Sequence, residues 1–86
     1  MLTLPDLGEQ IADRRRALKL TQPELAKRAG IGRSTLAALE GGKLAELGFT
    51  KIAMILAVLG LDLKLSIFNS GRPTFDDLKA ESMLDA

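Results

Sequence analysis

An 86-residue chain that is 47% hydrophobic but only 3% aromatic is one domain with a core of Leu, Ile, Val and Ala, a composition that points to packed helices. It has no cysteine and no histidine, which excludes disulfides, thiolate chemistry and the usual zinc ligands and fits a reducing cytoplasm. The net charge of +1 conceals a gradient: Asp13 to Lys43 carries eight Lys or Arg against three acids, a net of +5, while Gly71 to Ala86 carries two against four, a net of −2. The basic part is either a phosphate-facing surface or a solvated helix face.

Asp6, with Glu9 three residues on, starts a first helix over roughly Leu7 to Leu18, with Leu7, Ile11 and Leu18 inward. Before it, Met1 to Pro5 has no signal-peptide pattern, and the longest uncharged apolar stretch, Ile52 to Leu61, is too short for a bilayer, so a soluble, unsecreted protein is expected. Thr21 and Glu24 form a second capping box, with Pro23 in the first turn, and this helix runs to about Arg28 or Ala29. Gly30 supplies a left-handed residue, Gly32 an N-cap, and a third helix covers Arg33 to Glu40 until Gly41 and Gly42 stop it.

From Phe49 to Leu59 the period is helical but the residues are apolar all round: Phe49, Ile52, Ala53 and Leu56 make one face, and Met54, Ile55 and Val58 another. A helix with no polar face is covered on both sides, most simply by a second copy. Leu61 to Phe68 then alternates, with Leu61, Leu63, Leu65 and Ile67 on one side, as in a half-buried strand. A lone strand needs a partner, so it should pair with itself across a two-fold axis. Asn69 to Ala86 is linker-like and then acidic; Phe75, Leu78, Met83 and Leu84 could anchor a short helix on a partner, or the tail is a frayed terminus.

Two short helices joined by a tight glycine turn are what helix-turn-helix recognition needs, with the second helix in the major groove. The stretch Thr21 to Lys43, TQPELAKRAGIGRSTLAALEGGK, resembles the Xre or lambda-repressor-like family. With Leu61 to Phe68 added, residues 7 to 68 more narrowly resemble HipB-like antitoxins. The resulting expectation is a mainly all-α fold: a lambda-repressor-like DNA-binding domain of four to five helices in residues 1–60, its helix-turn-helix at about 21–43, a dimerisation strand at 61–68, and an acidic tail at 69–86. The resemblance implies a repressor that binds its own promoter and a HipA-like kinase toxin as partner.

Roles follow residue by residue. Gln22 can donate to a phosphate or reach a base edge, and Thr21, spent on capping, still lies at a helix N-terminus that attracts phosphate. Arg33 has the planar fork that reads guanine O6 and N7, and Ser34 and Thr35 suit bases or phosphates; a phosphate clamp or a surface ion pair remains open for Arg33. Ala37 and Ala38 offer at most contact with a thymine methyl. Lys43 should meet a phosphate, with Arg14, Lys27 and Arg28 as further phosphate or merely solvated residues. In the family, an arginine like Arg15 pairs with a glutamate like Glu40, which is a structural ion pair. The expected dimer interface is Met54, Ile55, Val58, Leu61, Leu63, Leu65 and Ile67.

Three functions compete. The first is a dimeric repressor on a palindromic double-stranded DNA operator, either free-standing or as an antitoxin. The second is mainly a toxin-neutralising interaction protein that works through its tail. The third, an enzyme, lacks His, Cys, a phosphate-binding glycine loop and a nucleophile placed with a base, and the adjacent Asp76 and Asp77 do not face each other on a helix. No cofactor, metal or membrane partner is expected.

Overall fold

The computed structural model describes residues 2–67, and these are all-helical: α1 Leu4–Ala17, α2 Gln22–Ala29, α3 Arg33–Glu40 and α4 Phe49–Val58. None of these helices is long and apolar enough to cross a membrane. The expected tail anchors Phe75, Leu78 and Met83 lie outside the described residues.

Helix α1 starts a turn earlier than Asp6 predicts. Thr3 is the cap: its hydroxyl accepts from Asp6 N–H and the Asp6 carboxylate accepts from Thr3 N–H, both at 3.2 Å. Pro5 therefore sits in the first turn, where its missing N–H leaves no gap. The helix also ends before Leu18, which is exposed rather than inward. At α2 the Thr21 and Glu24 box forms in full, with bonds of 2.9 and 3.2 Å.

All four helices close the same way. The N–H of Leu20, Ile31, Lys43 and Leu61 reaches back five residues to the carbonyl of Arg15, Ala26, Ala38 and Leu56, at 2.8 to 3.1 Å. That closure puts the preceding residue in the left-handed region. It is glycine at 30, 42 and 60, but Lys19 at the end of α1, with φ 58°. A side chain there is strained by about 1 kcal/mol. Lys19→Gly is therefore expected to raise stability by about 0.5–1 kcal/mol, net of the freedom glycine adds to the unfolded chain; an unchanged melting temperature would contradict the strain.

One core joins the helices: Leu7 and Ile11 of α1, Leu25, Ala26 and Ala29 of α2, Leu36 and Leu39 of α3, and Ile55 and Leu56 of α4 with Leu59 just past it. Helix α1 packs on α3, and α2 packs on both α3 and α4. Helix α1 lies tight against α3 at buried Gly8, where a β-carbon would overlap the Leu39 carbonyl oxygen.

Helix α4 departs from the expected division of faces. Ile55, expected in the dimer interface, is fully buried in its own chain, whereas Phe49, on the face opposite to it, is 70% exposed. Adjacent Ile55 and Leu56 are both enclosed because α4 packs on α2 while its C-terminal end is tied to α1 by Arg14. Its outward apolar residues are Phe49 and Met54, with Val58 half-buried. Residues 61–67 form no strand within the single chain, as a segment without a second strand must.

Candidate nucleic-acid interface

Three residues, Gly30, Ile31 and Gly32, connect α2 to α3. Ile31 is half-buried, and Met54 of α4 places its methyl group beside Gly30, so the turn is packed from behind. Leu36 and Leu39 face the core, which turns the opposite side of α3 outward: Arg33, Ser34 and Ala37 are exposed, Thr35 and Ala38 half-buried. The Thr35 side chain lies beside the turn at Gly32, which leaves Arg33 and Ser34 as the freer polar groups of this helix. Among the described residues Arg33 has no ion-pair or hydrogen-bond partner.

Behind α3 stands a polar cluster. Arg15 Nε and Nη2 donate to the two carboxylate oxygens of Glu40 at 2.8 and 2.9 Å, and Nη1 donates to the Leu20 carbonyl at 2.8 Å. Gln22 Nε2 donates to Glu40 Oε1 at 3.0 Å. The pair is well enclosed, its side chains 12% and 4% exposed. Burial pushes the Glu40 carboxyl upward, but the bonds from Arg15 and Gln22 and the Arg15 charge outweigh it and hold the group below its usual range. The cluster links α1, the linker after it, the first residue of α2 and the last residue of α3.

By its place in the first turn of α2, Gln22 is expected to donate to a phosphate or reach a base edge. One of its two amide hydrogens is instead committed to Glu40, which leaves the other hydrogen and the carbonyl oxygen for an outside ligand. Nothing local signals this tie, because Gln22 and Glu40 are 18 residues apart. Arg14 is also less free than a phosphate role requires: its Nε donates to the Leu59 carbonyl at 3.0 Å and caps the end of α4. Thr21 accepts from Glu24 N–H, and its own hydroxyl can still donate. Lys27, Arg28 and Lys43 are exposed cations on α2 and just after α3.

The arrangement presents two helices on a short glycine turn, with one long cation and one hydroxyl on the outward face of the second. A family model described as a helix-turn-helix domain matches residues 5–68. No curated protein matches the chain. The match spans most of the 86 residues and includes all four helices, so the chain belongs to the helix-turn-helix domain family, a DNA-binding class.

Proposed function

We propose that the protein is a homodimeric, sequence-specific transcriptional repressor that inserts α3 into the major groove of a palindromic operator. The observation that carries this reading is the outward face of α3, where Arg33 stands exposed beside Ser34 and, among the described residues, unpartnered. A free guanidinium at the start of a recognition helix can bond both O6 and N7 of guanine. Ala37, one turn on, can touch only a thymine methyl, so each half-site is read sparsely. Doubling the half-site restores discrimination, with recognition helices about 34–36 Å apart in successive major grooves. Thr21, Arg28 and Lys43 are assigned to phosphates, where they set register rather than sequence.

Mobility shift on the DNA upstream of the protein's own gene tests this. Arg33→Ala is expected to weaken binding by at least about thirtyfold, because a bidentate arginine contributes about 1–3 kcal/mol at each of two half-sites. Lys43→Ala should weaken all sequences equally and lower the salt slope by about two per dimer. Binding indifferent to Arg33→Ala combined with Gln22→Ala overturns the assignment.

The finer reading is an autoregulating antitoxin of a HipA-like kinase toxin. It rests on the likeness of residues 7 to 68 to HipB-like antitoxins and on the apolar residues of the acidic tail. Co-purification with the product of the neighbouring gene tests it, and partner binding unchanged by truncation at Asn69 removes the tail from that role.

A further inference from the structure

We propose that the two subunits pair antiparallel through residues 61–67 with Leu63 on the two-fold axis. The proposal rests on the homodimer reading above and adds its register. In an antiparallel pair related by a two-fold, one residue faces its own copy, and residues equally distant on either side face each other. Three positions near the middle of the segment can take the axis: Leu63, Lys64 and Leu65.

Charge separates them. With Lys64 on the axis, two ammonium groups meet directly, which opposes pairing. With Leu65 on the axis, Lys64 faces Ser66 and Asp62 faces Phe68, so neither charge is matched. With Leu63 on the axis, Asp62 of each copy faces Lys64 of the other, making two cross-strand ion pairs. Asp62 is exposed, and its carboxylate makes one local contact, accepting from Leu63 N–H at 2.9 Å.

The apolar side points to the same register. Leu61, Asp62 and Leu63 border a mostly apolar cavity of about 150 Å³ whose other walls include Leu2, Gln10, Ile11 and Leu56. Leu65 is fully exposed at 102%. With Leu63 on the axis, Leu65 of the second copy lies directly opposite Leu61, on the same face, at the edge of that cavity. With Leu65 on the axis, the two Leu65 side chains meet each other instead, away from it.

The chain has no cysteine, so single-cysteine variants of the whole 86-residue protein report the axis by oxidative cross-linking. Residues facing across the axis lie about 4.5–5.5 Å apart at Cα, within disulfide reach, whereas diagonal neighbours are about 7–8 Å apart. Leu63→Cys is expected to give a covalent dimer as the main product, and Lys64→Cys and Leu65→Cys little. Predominant cross-linking at 64 or 65 overturns the register while leaving the dimer standing. No cross-linking anywhere in 61–67, with a monomer in sedimentation, removes the dimer itself.

Because Leu63→Cys also trims the apolar cavity, exposed positions supply a second arm. Asp62→Lys is expected to weaken dimerisation roughly ten- to thirtyfold, since two attractive pairs become repulsive. Asp62→Lys combined with Lys64→Asp should return it to within about threefold of the original. A double variant as weak as the single one overturns the ion pairing.

Discussion

Arg15→Ala is expected to lower the unfolding free energy by about 3 kcal/mol, read as a shift of the denaturant midpoint with the slope unchanged. Glu40 is 4% exposed, and the substitution removes two of its hydrogen bonds and its counter-charge, leaving only Gln22. The penalty is that of an enclosed carboxylate without a cation, which far exceeds what the intact pair contributes net. A domain of this size is stable by roughly 5–10 kcal/mol, so the variant sits near its margin. Glu40→Gln should be milder, because the guanidinium left behind is the more exposed partner and keeps the Leu20 carbonyl and a glutamine oxygen as acceptors.

The same carboxylate sets an acid limit. Its folded pKa lies below its ordinary value of 4.5, so the folded state binds the proton less readily than the unfolded chain. Its contribution is complete above about pH 4.5 and is lost as pH falls through the lower folded value. Glu24, held low chiefly by the Thr21 backbone N–H, titrates in the same window in wild type and variant alike. Comparing Glu40→Gln with wild type therefore isolates Glu40: the variant should lose stability less steeply below pH 4.5, and identical acid limbs would show that the pair is not responsible.

Gly8→Ala is expected to cost about 2–3 kcal/mol even though alanine is the better helix former by about 1 kcal/mol. The added carbon would overlap the Leu39 carbonyl oxygen, and backbone cannot swing aside as a side chain can. Relief requires α1 and α3 to separate, which opens the core around Ile11 and Leu39 and strains the Arg15 to Glu40 bonds. Thermal unfolding measures the loss, and a melting temperature at or above wild type would show that the helices can part cheaply.

What could be read from sequence was what is determined locally. Thr21 with Glu24, Gly30, Gly32 and the glycines after Glu40 each fix their own stretch of backbone, and α2 and α3 stand within those bounds. The start of helix α1 is hard to read locally because Thr3 closes its box with an aspartate, a shorter arm than the Glu or Gln of the usual pattern. Gly8, the Gln22 tie and the burial of Ile55 depend on which helix lies against which, and no neighbouring residue reveals that. The alternation at 61–67 marks a segment fit for pairing, but a ladder needs a second strand, and one chain supplies none.

The bond from Gln22 to Glu40 has a thermodynamic consequence for complex formation. A glutamine side chain free in solvent gives up about 1.5–2 kcal/mol of rotamer freedom when a ligand immobilises it. Here that loss is incurred during folding, so on the proposed reading of Gln22 as a DNA contact the amide is aimed before DNA arrives, and the entropic penalty of association shrinks accordingly. On that reading Arg15 of α1, by fixing Glu40, contributes to how tightly DNA is held without being a contact itself.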